Sequence, residues 1–350
     1  MGLPNGISDN VEQWLVSNIE GATAPFSYVQ IAGGHSNLTF AVTDAAGHKY
    51  VLRRPPLGHR LASAHDMGRE HRIIAALAGS NVPVAPALGY CSDESVNELP
   101  FYVMRFVDGL VVRDKAFAED VLTPAARTHA SESIVDTMVA IHGVDINAVG
   151  LADLDKHEGY IARQLKRWHQ NIVDQRTRDL PLVESVYEEL SRRIPEQKEV
   201  TLVHGDYRLD NCMVDAAGNV TAVLDWEICT LGDPLADVGL LQVYWTGPDD
   251  RQSAWAVTGT TAPGFWNRHD VLNRYAEVSG RDLSNIDFYV AFAFWKLACI
   301  LEGVYARYLG GALGERSLEE LLPFKQQVDD AAAQADRKST RLNSSHGYIL

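Results

Sequence analysis

The segment LVHGDYRLDN, residues 202–211, places polar side chains directly after a short apolar run. Within it, Asp206 follows His204 and Gly205, and Asn211 stands five positions after Asp206. A carboxylate can accept a proton from a reacting group, and an amide oxygen can bind a hard cation such as Mg²⁺. The spacing therefore indicates proton transfer beside a metal ion, with an ordinary polar turn as the alternative.

The next segment, CMVDAAGNVTAVLDWE, predicts a β-hairpin that ends at a second carboxylate. Its two apolar runs flank a Gly218-Asn219 turn, and Asp225 closes the second run. Because a hairpin brings its two ends together, Asn211 and Asp225 should lie side by side, with Asp206 close to both. Oxygen ligands of this kind suit Mg²⁺, which binds one or two carboxylates together with phosphate oxygens.

The elements around this constellation divide the chain into two parts. A helix is predicted at residues 9–20, strands follow up to residue 104, and the segment HDMGREHRIIAALAGS predicts one main helix. Beyond residue 109 the pattern is mainly helical, at residues 119–143, 157–173, 182–194, 235–245, 268–279 and 286–309. We therefore predict a β-rich part over residues 1–104, a connection over residues 105–109 and a helical part over residues 110–335.

Residues 336–350 are predicted to lie outside the fold. They show neither a helical nor a strand period and follow the predicted final helix. Residues 336–346 also resemble the read-through translation of a sequencing-library adapter. We expect a disordered tail.

The composition restricts the class of protein. With 46% hydrophobic and 22% charged residues it is typical of a globular protein, and the longest apolar run is broken by Lys296, so no membrane span is predicted. Residues 108–335 carry 36 acidic and 21 basic residues, which argues against nucleic acid as a partner. The scattered cysteines and the absence of a signal-peptide pattern favour a cytoplasmic protein with free thiols.

The full pattern of His-Gly-Asp, four residues, Asn, a hairpin and Leu-Asp-Trp-Glu resembles the catalytic centre of the aminoglycoside-phosphotransferase-like kinases. It is especially similar to the subgroup found alone in bacteria and fused to acyl-CoA dehydrogenases in animals. The resemblance covers residues 25 to 330 approximately and also rests on GGHSNLTF, YVLRRPP, REHRIIAAL, YVMRFVDG, GDPLADVG and RYLGG.

This resemblance implies an α+β, two-lobed protein-kinase-like fold, with a small β-rich N-lobe, a hinge at residues 105–109 and a helical C-lobe. It implies phosphorylation of a small-molecule hydroxyl by ATP with Mg²⁺. Carried over to this chain, Asp206 is the catalytic base, and Asn211 and Asp225 are the magnesium ligands. His204, Arg208 and Asp237 are expected to support the catalytic loop.

A nucleotide site is expected in the N-lobe. Gly33 and Gly34 open GGHSNLTF, whose backbone could approach the phosphates closely, and the predicted nucleotide-binding set is Gly33, Gly34, Ser36, Asn37, Arg53, Glu70, Arg105 and Val107. The alternative for the glycines is a plain turn. The resemblance implies that the main chains of Arg105 and Val107 bind adenine.

Glu70 is predicted to pair with Arg53. It shares the apolar stripe of its helix with Ile73 and Leu77, where an unpaired carboxylate would be costly. Arg53 stands where the resemblance implies a phosphate-gripping residue, although most kinases have lysine there. Arg54 should face the opposite side of the strand and is therefore the second candidate for the partner of Glu70.

The acceptor is expected to be a hydroxy acid or hydroxyacyl-CoA, because the resemblance points to the dehydrogenase-fused subgroup. Three cations are predicted on one helix face, opposite Ile161, Leu165 and Trp168, and could bind an anionic acceptor or simply face solvent: Arg163, Lys166 and Arg167. The alternatives are an antibiotic phosphotransferase and a non-catalytic nucleotide-binding module. A protein kinase is disfavoured because no peptide-docking segment is present.

Overall fold

The computed structural model describes residues 6–31, 37–56, 66–155, 158–248, 250, 258–311 and 316–341. The helices are α1 (Asn10–Asn18), α2 (Met67–Leu77), α3 (Lys115–Val121), α4 (Pro124–His142), α5 (Tyr160–Gln175), α6 (Pro181–Arg192), α7 (Leu235–Tyr244), α8 (Arg268–Ser279), α9 (Ile286–Leu309) and α10 (Leu318–Arg341). The strands are β1 (Ser27–Gln30), β2 (Leu38–Thr43), β3 (Lys49–Arg54), β4 (Ala87–Cys91), β5 (Phe101–Arg105), β6 (Leu110–Val111), β7 (Thr201–Val203), β8 (Cys212–Val214), β9 (Val220–Val223) and β10 (Thr230–Gly232). The predicted α+β architecture, with a β-rich N-terminal lobe and a helical C-terminal lobe, is confirmed.

The N-terminal lobe is built on an antiparallel sheet with the strand order β1-β2-β3-β5-β4. Successive residues of a strand point to opposite faces of the sheet. Leu52 and Val103 accordingly face a core that includes α1, whereas Val51 and Met104 face a core that includes α2. Arg53 has the same parity as Val51, so β3 directs its side chain towards α2.

In the C-terminal lobe, two small sheets flank the loop that contains Asp206, the predicted base. Strand β7 pairs with β10 and leads into this loop, and the β8–β9 hairpin forms a sheet with β6. The predicted turn is present, with Gly218 at a φ of 95°, a conformation that favours glycine. The backbone N–H of Leu224 donates to the Asn211 carbonyl at 2.8 Å, so the two ends of the hairpin are held together.

Helix α9 is the core helix of this lobe. It packs against α5, α7 and α10. Among the described residues, α9 is the one helix that is long and apolar enough to cross a membrane. However, 72% of its most apolar 18-residue stretch is buried inside the protein. Such burial inside the protein is typical of a core helix.

Most predicted helix ends agree with the structure to within three residues, and two predictions differ from it more strongly. The helix predicted at 119–143 is two helices, because Thr123 caps α4 by accepting the backbone N–H of Ala126, and Pro124 starts α4. The tail predicted from residue 336 is helical as far as Arg341, since α10 continues. Its residue Ser339 is buried, and Lys338 lies 3.2 Å from Asp287 of α9.

Candidate active site

The loop after β7 is fixed by hydrogen bonds to a buried carboxylate. Asp237 of α7 accepts the backbone N–H of His204 at 2.7 Å and that of Gly205 at 2.9 Å. Burial would raise the pKa of Asp237, but a hydrogen bond with His142 and the backbone bond from Gly205 bring it below its ordinary value. An ionised Asp237 therefore anchors the backbone immediately before Asp206, as expected for a loop-supporting residue.

His204 also has a supporting position. Its Nε2 lies 2.9 Å from the Leu224 carbonyl, and its Nδ1 lies 3.3 Å from the backbone N–H of Asp206. A carbonyl oxygen only accepts hydrogen bonds, so Nε2 carries the proton and Nδ1 is the acceptor. Both ring nitrogens are thus engaged with backbone groups, and the buried imidazole joins the catalytic loop to the end of β9.

Asp206 projects into a cleft beside Asn211 and Arg208. Its carboxylate accepts a hydrogen bond from Asn211 Nδ2 at 2.9 Å and lies 3.5 Å from Arg208 Nε. Burial raises the pKa of Asp206, while the positive charge of Arg208 opposes that rise. A partly exposed carboxylate with a raised pKa is well suited to accept a proton.

Asn211 and Asp225 present oxygens in the manner of magnesium ligands. The side-chain nitrogen Nδ2 of Asn211 donates to Asp206, and no donor to its side-chain oxygen Oδ1 is found within the described part of the chain. Asp225 has a φ of 63° and is the one non-glycine residue with positive φ among the residues described. Such strained backbone is concentrated at functional sites.

The charge balance here fits a divalent cation. Three carboxylates, those of Glu70, Asp225 and Glu227, surround the single guanidinium of Arg53. Among the described residues, groups of three or more His, Cys, Asp or Glu side chains with metal-site geometry are absent. This donor set fits Mg²⁺, which takes one or two protein oxygens and completes its coordination with water and phosphate.

The predicted pair between Arg53 and Glu70 is present. Arg53 Nη1 lies 3.2 Å from Glu70 Oε1, and Glu70 is buried on α2. Burial raises the pKa of Glu70 to about 7, and Arg53 opposes this rise. Arg54, by contrast, is buried on the opposite side of β3, where it donates to the Pro55 carbonyl at 3.0 Å.

Of the other residues predicted to bind the nucleotide in the N-terminal lobe, the structure describes Asn37 but not the glycine-rich segment before it. Gly33, Gly34 and Ser36 lie outside the described residues. Asn37 is buried and donates to Glu227 Oε2 at 3.1 Å, and the same Glu227 oxygen lies 3.7 Å from Arg53 Nη2.

The predicted hinge begins at Arg105, the last residue of β5. The backbone N–H of Arg105 is not available to adenine, because it already donates to the Pro86 carbonyl at 2.8 Å. The backbone N–H and carbonyl of Val107 form no hydrogen bond within the described ranges, and its side chain packs against the main core. Val107 therefore stays the better placed of the two predicted hinge residues.

A cleft of about 640 Å³ adjoins Asp206. Arg167 and Trp168 of α5 line it together, but Arg163 and Lys166 are not among its lining residues. Of the three predicted acceptor-binding cations, Arg167 is therefore the one that lines this cleft. The phase of α5 is set by its buried residues Tyr160, Ile161, Leu165 and Ile172, which turn Lys166 to solvent.

Within the described residues, the charged side chains of this cleft that form no ion pair or hydrogen bond with an opposite charge are mainly cations. Arg69, Arg167 and Lys296 line it, and no ion pair involves any of them among the described residues. The acidic lining residues are engaged: Asp66 accepts the backbone N–H of Arg69, Asp155 accepts the hydroxyl of Thr230, Asp206 lies beside Arg208, and Glu227 accepts from Asn37. The open part of the cleft is thus suited to an anionic group.

Sequence reasoning missed Arg69, Glu227 and Lys296. Arg69 directly precedes Glu70, and Glu227 is two positions after Asp225, so both stand inside motifs that carry the family resemblance. Lys296 carries a local signal too, because it is a charge within a long apolar helix. That signal gives no indication of which side chains surround it.

The sequence model of the phosphotransferase enzyme family, APH, matches residues 27–275. Acyl-CoA dehydrogenase family member 10 of Mus musculus is 34% identical over 303 residues, which are 85% of this chain and 28% of that protein. Acyl-CoA dehydrogenase family member 11 of Homo sapiens is 31% identical over 346 residues, which are 97% of this chain and 44% of that protein. The chain thus spans less than half the length of these relatives.

Solved structures include a Ralstonia eutropha protein described as a candidate aminoglycoside phosphotransferase. It superposes with a TM-score of 0.80 at 32% identity, covering 95% of this chain and 98% of its own. A thermostable mutant of aminoglycoside phosphotransferase APH(4)-Ia, in a ternary complex with AMP-PNP and hygromycin B, gives a TM-score of 0.61 at 18% identity, covering 96% of this chain and 100% of its own. At that identity the second similarity concerns the fold alone.

Proposed function

Because the chain belongs to the phosphotransferase enzyme family, we propose that it transfers the γ-phosphoryl group of ATP to a hydroxyl group of a small molecule. The observation that carries this proposal is a convergence of side chains at one cleft. Asp206 and Asn211 from the C-terminal lobe lie in direct contact, and Arg53 from the N-terminal lobe binds Asp225.

In the proposed reaction, Asp206 accepts the proton of the acceptor hydroxyl. The acceptor oxygen forms a bond to the γ-phosphorus, the bond from that phosphorus to the β–γ bridging oxygen breaks, and ADP leaves. Arg53, held by Glu70, stabilises the charge on the phosphates. Asn211 and Asp225 would hold the magnesium ion, whose positive charge neutralises phosphate oxygens. Catalysis then consists mainly of positioning and electrostatic stabilisation.

The acceptor that we propose is a hydroxy acid or a hydroxyacyl-CoA. Arg69 and Arg167 support this choice, since both line the cleft without an anionic partner among the described residues. An apolar wall that includes Trp168, Leu297 and Ile300 would suit an acyl chain. The relatives named acyl-CoA dehydrogenases, of which this chain matches less than half, agree with a substrate related to acyl-CoA.

An antibiotic phosphotransferase is the second candidate. The acidic excess of residues 108–335 would attract a polycationic aminoglycoside over long distances. Arg69, Arg167 and Lys296, which line the cleft without an ion pair among the described residues, would disfavour such a compound at the site itself. We rank local charge above net charge, because net charge governs association more than recognition.

A non-catalytic nucleotide-binding module is the candidate of another class. Such a module would be expected to lack the base or a metal ligand. Asp206, Asn211 and Asp225 are all present, which favours an active enzyme.

An acceptor panel tests this function. Purified protein would be incubated with ATP, Mg²⁺ and hydroxybutanoate, its coenzyme A thioester or kanamycin, and phosphorylated products would be measured by mass spectrometry. We expect transfer to a hydroxyacyl compound and little transfer to kanamycin. Efficient phosphorylation of kanamycin with none of any hydroxyacyl compound would overturn the acceptor class, and no transfer to any acceptor would favour the non-catalytic module.

A further inference from the structure

Lys296 is a charged residue on the otherwise apolar part of α9 that faces the cleft. Its neighbours in sequence, Trp295 and Leu297, are buried in the core. Lys296 itself is largely enclosed and lines both the cleft and a small cavity behind Gly205. Placing an ammonium here is costly unless it gains specific partners.

The protein supplies few partners for this ammonium. Its Nζ lies 3.4 Å from the Gly205 carbonyl and 5.7 Å from the centroid of the Trp168 ring. The described residues offer it no ion pair, although an ammonium has three N–H donors. A single long hydrogen bond and a ring face leave most of its bonding capacity for a molecule in the cleft.

We propose that Lys296 is an acceptor-binding residue, whose ammonium holds a carbonyl or carboxylate oxygen of the acceptor beside the hydroxyl that Asp206 deprotonates. This inference rests on the proposed function and assigns a recognition group within it. Gly205 directly precedes Asp206, so an ammonium hydrogen-bonded to Gly205 lies next to the base. The acyl oxygen it binds must therefore belong to the part of the acceptor nearest the reacting hydroxyl.

Lys296 differs from Arg69 and Arg167 in how firmly its side chain is positioned. It projects from a buried helix, whereas Arg167 lies on the exposed side of α5 and Arg69 on α2 of the other lobe. Lys296 would accordingly set the position of the acyl oxygen, and the two arginines would bind more distant anionic parts of the acceptor. A role limited to holding the Gly205 carbonyl would not require a positive charge.

The test compares matched acceptors. Hydroxybutanoate and butanediol with the hydroxyl at the same position differ in the carboxylate, and the coenzyme A thioester carries a neutral carbonyl in its place. The wild type should favour hydroxybutanoate over butanediol in kcat/KM. Lys296→Met and Lys296→Gln should reduce that ratio roughly 10- to 100-fold, as expected for loss of a hydrogen bond to a charged group. If the thioester binds through its carbonyl, these substitutions should lower kcat/KM less for the thioester than for hydroxybutanoate.

Lys166→Met is the matched control, because Lys166 is exposed on α5 outside the cleft. It should leave the ratio between the two acceptors unchanged. A wild-type ratio near one, or an unchanged ratio in a folded Lys296→Met protein, would overturn this inference while leaving phosphotransfer itself intact. Failure of the wild type to phosphorylate any of these acceptors would instead overturn the proposed acceptor class, and this inference with it.

Discussion

Arg53 Nη2 lies 2.7 Å from Asp225 Oδ1, although 172 positions separate the two residues in the sequence. Arg53 comes from the sheet of the N-terminal lobe, and Asp225 ends the hairpin of the C-terminal lobe. The predicted phosphate-gripping residue is therefore in direct contact with a predicted magnesium ligand. The other terminal nitrogen of this guanidinium, Nη1, forms an ion pair with Glu70, which helps to hold Arg53 in position.

Arg53→Ala and Glu70→Ala should each raise the KM for ATP, and the double variant should be less than additive. The reason is that Glu70 acts through Arg53, and residues in one ion pair couple. Arg53 opposes the rise that burial causes in the pKa of Glu70, so removal of Arg53 would leave this carboxyl protonated. Glu70 would then have no cation to hold. Steady-state kinetics of the four proteins provides the measurement.

Arg72→Ala is the control for this cycle. Arg72 lies on the same helix as Glu70, but its side chain is exposed and pairs with Asp153. Its replacement should not change the KM for ATP. Strict additivity of the Arg53 and Glu70 effects would mean that the two residues act separately.

Asp225→Asn should weaken the magnesium-dependent part of ATP binding, because an amide oxygen is a poorer ligand for a hard cation than a carboxylate. Titration calorimetry with ATP over a series of Mg²⁺ concentrations measures this. Asp215→Asn removes the same charge at the other end of the hairpin, where Asp215 accepts the backbone N–H of Ala217, and should behave like the wild type. Equal magnesium dependence in both variants would exclude Asp225 as a ligand.

Arg208→Gln should shift the pH dependence of phosphotransfer. The base works in its ionised form, so the rate falls as the pH drops through the pKa of Asp206. Burial already raises this pKa and Arg208 opposes the rise, so removing the cation raises the pKa further. The acidic limb of kcat/KM should therefore move to higher pH, and Arg208→Lys should move it less. An unmoved limb, or one displaced to lower pH, would show that Asp206 is not the titrating base.

Much of the site could be predicted because its parts are local in sequence. A fixed spacing and one hairpin bring Asp206, Asn211 and Asp225 together, and both features can be recognised from residue types. The pairing of Glu70 with Arg53 followed from a carboxylate on an apolar stripe, because burial of a charge demands a partner.

The remaining parts depend on packing that no local pattern encodes. Lys296 is 90 positions from Asp206 in the sequence and reaches it only because α9 crosses beneath the catalytic loop. The apolar positions of α5 predicted its buried face, and Ile161 and Leu165 are indeed buried, but the pattern could not show that Arg167 lies at the cleft beside Asp206. The continuation of α10 was missed because its final residues have no apolar period and are helical through contacts such as Lys338 with Asp287.

The most direct test of the account is phosphoryl transfer by Asp206→Asn. Transfer from ATP to the best acceptor of the panel would be measured beside ATP binding, for the wild type and this variant. We expect a rate lower by roughly 10²–10⁴-fold, the loss typical of removing a general base, with ATP binding retained. Near-full turnover in Asp206→Asn would contradict the assignment of the base and with it the proposed mechanism.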